Sequence, residues 1–555
     1  METASCSTHQ SDPGCLEHKS ERSPNSNQNN AGRYMRGITN RRSRVLLCTS
    51  GVSFMIMLDS NIVAVALPTI AQDLGAAFSS VEWVVSAYVL TFAVGLMPAG
   101  SLADHYGRKR FLMFGLVIFT VASVACGLAQ TSWLLNWARA LQGVGAAIQL
   151  SAALAVLGNE FRGIERVRAF GFWGAVLGVA VAAGPIVGGL TTSYLSWRWA
   201  FLVNVPTGAI LLTIATLDVE DSKDLDAVEL DLAGMASFGS GLFFIVWGLI
   251  DGTSDGWSNS LTLMKLGLGL GLFILFFLVE RRQSRPMIDL DLFGNRSFLG
   301  SCVAMLGYAA SAQVMVTYLP LYLQNAFHFQ PASTGLAMLA YALPLFVFPT
   351  VGARLALRVS GRMLLTSGLI LVAGGNLVTG LMANAHMPYP PFALGMLLIG
   401  AGAGLLNGET VKVLMSAISP ERGGMASGIS ASLRFVGIVI GFAGLGAILA
   451  GGAKSRYGEL TKALIDTPIF EDGENLVTSR LVAGDVESLL RGLDLTRQDQ
   501  FREIFRASFE SGFALLLLSA AAISGAAAVL TYCLVCARAT APLHGSRESS
   551  PISGE

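Results

Sequence analysis

Charge is scarce in this chain. Of 555 residues only 13% are Asp, Glu, Lys or Arg, against 53% hydrophobic. A soluble fold carries about twice that charged fraction, so an ordinary soluble enzyme is excluded. Basic and acidic residues balance at 37 each, which leaves no electrostatic footprint for nucleic acid. The seven cysteines are scattered. Cys533 and Cys536 form a lone CxxC with no second ligand pair and read as small apolar residues, not as a metal or redox site. No G-x-x-x-x-G-K-[ST] loop is present for a nucleotide phosphate. No His, Ser or Cys constellation supports a membrane-embedded enzyme. Neither a cofactor nor a metal is expected.

Long apolar runs, by contrast, recur. Windows of about 20 residues, enough to cross about 30 Å of hydrocarbon, fall at 46–68, 83–103, 111–130, 133–157, 167–192, 199–217, 233–250, 261–279, 298–323, 333–353, 363–383, 391–411, 425–450 and 511–536. The pattern predicts an all-α integral membrane protein of fourteen spans. Sixteen Lys and Arg follow even-numbered spans, whereas the short loops after odd-numbered spans carry two, Arg198 and Lys265. By the positive-inside rule both termini are therefore cytosolic. The stretch 452–508 carries eight basic residues yet falls outside, as long segments do regardless of charge.

An even number of spans with both ends inside suggests repeated halves. Residues 1–45 form a polar tail, expected to be disordered and cytosolic. A six-helix half spans 46–217, a linker with two extra transmembrane helices 218–297, and a second half 298–537 with the external loop 452–508. Residues 538–555 make a cytosolic tail. The loop has amphipathic character at Leu489, Leu490 and Leu493 and reads as a partly helical cap.

Within the spans, Asp59 is the outstanding feature. A charge at mid-bilayer costs roughly 2.5–3.5 kcal/mol and usually faces a bundle interior or a water-filled path. Two cations, Arg139 and Arg434, are also stranded in the membrane. At 1.5 Å per residue, Asp59 lies roughly 20 Å from the cytosolic edge and Arg139 about 9 Å from the outer edge. In a core of about 30 Å these depths coincide. The Gly184-Pro185 pair of span 5 falls in the same layer, so a site shared by spans 1, 4 and 5 is expected, with Arg139 as the partner of Asp59. Asn61, Gln142, Asn407, Glu409 and Arg434 are further polar candidates for a central cavity. Glu409 and Lys412, one turn apart, read first as a local ion pair.

The loop Gly100-Ser101-Leu102-Ala103-Asp104-His105-Tyr106-Gly107-Arg108-Lys109-Arg110 resembles the G-x-L-a-D-r-x-G-r-k signature of the major facilitator superfamily. Arg139-Ala140-Leu141-Gln142-Gly143 resembles the superfamily segment associated with proton coupling. Gly184-Pro185-Ile186-Val187-Gly188-Gly189 is similar to the fifth-span signature of its antiporters. Leu58-Asp59-Ser60-Asn61 and Trp197-Arg198-Trp199 resemble fourteen-span drug:proton antiporters, although Asn61 and Ala64 depart from the family's Thr and Asn. Arg434 with its following glycines fits a similar pattern.

The resemblance, over roughly 46–450 and 511–536, implies the major facilitator fold. It further implies a proton-coupling pair at Asp59 and Arg139, a conformational latch at Gly100, Asp104, Gly107 and Arg108, and a helix break at Gly184, Pro185, Gly188 and Gly189. The function implied is proton-coupled efflux of small amphipathic molecules across a bacterial cytoplasmic membrane. A dedicated exporter of one natural product or siderophore is the alternative. Expected partners are the small-molecule substrate, protons and the lipid bilayer, with no nucleic acid; a periplasmic adaptor would be a further one.

Overall fold

The computed structural model describes residues 24–76, 78–222, 231–254, 256–283, 290–356, 358–385, 387–416, 423–462 and 495–536, with short pieces at 477, 480–482 and 486–490. In hydrocarbon every backbone polar group must be satisfied within its own segment, which leaves the helix as the solution for apolar runs. The chain forms α1 (Pro24–Leu74), α2 (Phe78–Tyr106), α3 (Arg108–Gly127), α4 (Ser132–Glu160), α5 (Gly163–Tyr194), α6 (Trp199–Asp218), α7 (Leu232–Ser254) and α8 (Ser260–Arg282). It continues as α9 (Arg296–Asn325), α10 (Pro331–Leu355), α11 (Gly361–Asn384), α12 (Tyr389–Ser416), α13 (Gly423–Lys462) and α14 (Leu495–Leu534). Among the described residues thirteen helical runs are long and apolar enough to span a membrane, and α2 contributes the shorter apolar stretch Ser80–Leu96.

Three of these boundaries depart most from expectation. Helix α1 starts at Pro24, inside the tail expected to be disordered. Extending an existing helix adds a hydrogen bond per residue without a new nucleus, so a polar extension can follow a stable span. Residues 1–23 and 537–555 lie outside the described residues. At the other end, α13 and α14 carry the helix into the external loop, where Val477, Leu481, Val482, Leu489 and Leu490 are buried with Tyr457, Phe501 and Phe505. Leu493 lies outside the described residues.

Packing repeats between the halves. In the first, α4 packs on α2 and α3, α5 on α1, and α6 on α1 and α3; in the second, α12 packs on α10 and α11, α13 on α9, and α14 on α9 and α11. The halves meet through α5 on α10, α2 on α13 and α1 on α9, while α7 lies against both α2 and α13 with α8 outside it. Contacts between the halves crowd the outer side. Gln324 Nε2 donates to Val65 O at 2.9 Å, and Ala332 N to Ser193 Oγ at 2.9 Å. Gly189 abuts Pro331 and Gly335 abuts Pro185, at contacts too close for any side chain. The outer face is closed.

Helix α9 contains a π-helical turn, Ala309–Gln313. Wider turns displace carbonyls from the regular ladder, and here side chains collect them: Asn376 Nδ2 donates to Ser311 O at 3.0 Å and the Tyr341 hydroxyl to Ala312 O at 3.0 Å. Gly437 and Gly441 of α13 make room for Ala309 and Ala310.

Candidate functional site

Helix α4 reaches the first half's interior because its small residues let neighbouring backbones close in. A methyl on Gly143 would collide with Tyr88 O of α2, and one on Gly145 would lie 2.6 Å from Phe119 N of α3. Arg139 and Gln142, three residues apart, share the helix face so enclosed. Arg139 is 1% exposed, and Asp59 and Gln142 are 0% exposed.

The structure brings Asp59 and Arg139 together. Arg139 Nη1 lies 2.7 Å from Asp59 Oδ2. Gln142 Nε2 donates to Asp59 Oδ1 at 2.8 Å and to Ser123 Oγ at 2.8 Å. Asn204 Nδ2 donates to Asp59 Oδ1 at 2.7 Å. Arg139 also donates through Nη1 to Gln142 Oε1 at 2.7 Å and through Nε to Val84 O at 2.9 Å. Its guanidinium stands 4.1 Å from the Tyr88 ring centroid. The carboxylate thus has three donors, one of them a cation, in a dry interior, the arrangement that makes a buried charge tolerable.

The site is built by α1, α3, α4 and α6, with a carbonyl from α2. Sequence reasoning missed Asn204, Ser123 and the Val84 carbonyl, and placed α5 where α3 and α6 stand. An amide at Asn204, inside span 6, was the available signal. Helix α5 does contribute, from behind: Gly184 and Gly188 admit the backbone of α1 at Asn61 and Ile62. The break expected at Gly184, Pro185, Gly188 and Gly189 is absent, because α5 runs unbroken from Gly163 to Tyr194 with Pro185 inside it. Neighbouring segments packed this closely let a membrane helix absorb a proline.

The remaining candidates lie elsewhere. The Asn61 side chain bonds back to Met57 O of its own helix at 2.5 Å. Arg434 Nη2 is hydrogen-bonded to Asn407 Oδ1, and its guanidinium lies 5.6 Å from the Tyr308 ring in the second half. Glu409 pairs with Lys412 at 2.6 Å, the local i,i+3 bridge. Gly107 has φ 118°, a conformation that favours glycine. The bonds of the loop around it run to the cytosolic end of α6: Arg108 N to Ser222 O at 3.0 Å, Lys109 Nζ to Thr216 O at 2.8 Å, and Arg110 to Asp221 at 3.2 Å. Gly100 lies beside Ser151 of α4. The Asp104 side chain lies outside the described residues.

The segment Trp197-Arg198 does more than anchor an interface. Trp197 is 2% exposed, its Nε1 donates to Asp73 Oδ2 at 2.9 Å, and Arg198 meets the same oxygen at 2.9 Å. Together they clamp the outer end of α1. At the cytosolic end Arg41 reaches Glu160 at 2.7 Å and Arg44 reaches Asp218 at 2.6 Å, fixing the helix that carries Asp59 at both ends.

Residues 49–442 match the family described as the Major Facilitator Superfamily. The chain is 35% identical over 413 residues to the multidrug resistance protein Stp of Mycobacterium tuberculosis (strain CDC 1551 / Oshkosh), covering 74% of this chain and 76% of that one. It is 34% identical to the puromycin resistance protein pur8 of Streptomyces alboniger, over 74% of this chain and 82% of that one. It is 32% identical to the tetracenomycin C resistance and export protein of Streptomyces glaucescens, over 76% and 78%. Among solved structures, the bacterial homologue of the human lysosomal transporter Spinster, inward-facing and unoccupied, superposes with TM-score 0.58 at 14% identity over 90% of this chain and 98% of that one. That last likeness concerns the fold alone.

Proposed function

The chain belongs to the Major Facilitator Superfamily, and from that premise we propose that it exports small amphipathic molecules from a bacterial cytosol in exchange for protons. It is a multi-pass membrane transporter; the proton coupling and the roles of individual residues are the proposal. The observation that carries it is the dry Asp59 cluster, with Arg139, Gln142 and Asn204 all directed at one carboxylate. Asp59 takes a proton from the outer side in the outward-open state and releases it to the cytosol after the halves rock. Arg139 competes with that proton for the carboxylate, so loading frees the guanidinium to shift its partners. Each inward charge is worth about 2.3 kcal/mol per 100 mV of membrane potential, a driving force that needs no nucleotide.

The division into halves at 46–217 and 298–537 around an inserted pair belongs to the same proposal, supported by the repeated packing pattern. Gly100, Asp104, Gly107 and Arg108 serve as a cytosolic latch in the opposite state, when the inner side closes. Arg434 and Asn407 supply the polar contact of the second half. Loss of proton-driven drug efflux in Asp59→Asn, with normal expression and insertion, is the expected result. Unchanged efflux into an imposed pH gradient would refute it.

A narrower reading also has support, since two of the relatives are named for resistance to single antibiotics. A panel of unrelated dyes and antibiotics separates the two: protection against many supports multidrug efflux, and protection against one supports dedicated export.

A further inference from the structure

A second buried carboxyl lies apart from the Asp59 cluster. Glu82, in the second turn of α2, is 0% exposed, and among the described residues neither of its oxygens has a hydrogen-bond partner. Three elements wall it in. From α13, Gly446 presses so close that a methyl there would collide with Glu82 Oε1 and lie 2.7 Å from Tyr318 Oη. From α9, the Tyr318 hydroxyl is committed elsewhere, donating to Phe442 O at 2.6 Å, with the ring 5.0 Å from that of Phe442. On α2 the flanking Val81 and Val85 are buried, and Trp83 leans on Phe243 of α7 at 6.1 Å.

Among the described residues Tyr318 is the titratable group that faces Glu82, and no Lys, Arg or His forms an ion pair with it. Arg139 approaches the same helix only through Val84 O and is engaged by Asp59. An ionised carboxyl in this place would be an uncompensated buried charge, which folded chains avoid by keeping the group neutral. The helix dipole offers little relief, because it acts within the first turn.

Glu82 belongs to the first half, and Gly446 and Tyr318 belong to the second. Positive-inside topology puts this end of α2 on the outer side, where the halves are closed. Separating them there would bring water to the carboxyl and let it ionise. We propose that Glu82 is a proton-binding lock on the outer gate: closing takes one proton from the outer solution, and reopening returns it to the same side. The inference rests on the alternating-access reading above. Because the proton enters and leaves by one face, Glu82 adds nothing to net proton transport. It ties the lifetime of the closed outer face to external acidity.

The linkage has a fixed size. Uptake of one proton per closure raises the closed-to-open ratio about tenfold for each pH unit of acidification, while the open-state carboxyl is ionised. The test uses the full chain in lipid nanodiscs carrying Asp59→Asn, which silences the other carboxylate, with spin labels on cysteines placed at Tyr194 and Gln330, exposed at the outer ends of α5 and α10. Between pH 7.5 and 5.5 the short-distance population should gain about tenfold per unit over the long one. Adding Glu82→Gln should hold the short distance and flatten the profile, and Glu82→Asp should restore the slope. Gly446→Ala, a wedge that leaves the carboxyl in place, should raise the long-distance population at every pH. An unchanged slope in Glu82→Gln overturns the proposal. So does a flat profile with Glu82 intact, whether or not Glu82→Gln folds. Efflux is not read in this assay, so the lock and the Asp59 coupling fail separately.

Discussion

Removing Arg139 should cost far more than removing both members of its pair. In Arg139→Met the guanidinium is replaced by an apolar chain of similar length, and Asp59 keeps its Gln142 and Asn204 donors but loses the cation at 2.7 Å. Breaking a buried pair in this way costs about 3–5 kcal/mol, because the survivor is an uncompensated charge. Asp59→Asn strands the guanidinium instead, at a comparable cost. In the double variant no charge remains, and what is lost is mainly the hydrogen bond to Val84 O and the stacking on Tyr88, about 1–2 kcal/mol together. The singles therefore sum to about 6–10 kcal/mol and the double to about 1–2, a coupling of at least about 4 kcal/mol. Unfolding of the purified protein by denaturant titration in mixed micelles measures all four corners of the cycle. Acidification supplies an internal check: the loss in Arg139→Met should shrink at low pH, where the orphaned carboxyl takes a proton, whereas that in Asp59→Asn should not. Singles that add to the double within about 0.5 kcal/mol would refute the claim that the two residues act as one dry ion pair.

Two other substitutions probe how the site is held. Gly188→Val puts a branched side chain where even a methyl would sit 2.9 Å from Ile62 O, and forced overpacking of this kind costs about 1–3 kcal/mol; efflux should fall steeply while insertion persists, as read by dye extrusion against surface biotinylation. Arg198→Ala breaks a clamp whose partners are 35% and 47% exposed, so stability should change by less than about 1 kcal/mol, whereas Trp197→Ala, which empties a buried site, should cost about 3–5 kcal/mol in the same titration.

Depth was legible in the sequence, and rotation was not. Helices rise uniformly, so counting residues from each membrane edge put Asp59 and Arg139 at one level without any knowledge of packing. Which helices flank that level depends on how each is turned about its axis, and apolar runs that are hydrophobic all round carry little of that information. Asn204 and Ser123 went unassigned for this reason, and α5 stood in for α3 and α6. Pro185 illustrates a related limit: its local cost was readable, but the glycine-lined contacts with α1 and α10 that let the helix continue are tertiary. Glu82 was passed over because a carboxyl four residues into a helix reads as an interfacial charge until the opposing half is seen to cover it. The burial of Trp197 was hidden for the same reason, its partner Asp73 being more than a hundred residues away in sequence.

The inserted helix α7 touches α2 and α13 at once, and this has a mechanical result. At the seam between α5 and α10 the halves meet directly, glycine against proline backbone. At the opposite seam any relative rotation must also shear a third body, with Trp83 gripping Phe243 on one side. A rocking movement of the halves would therefore disturb the contacts of α7 as well as the α2–α13 contact on one flank, and the direct α5–α10 contact on the other.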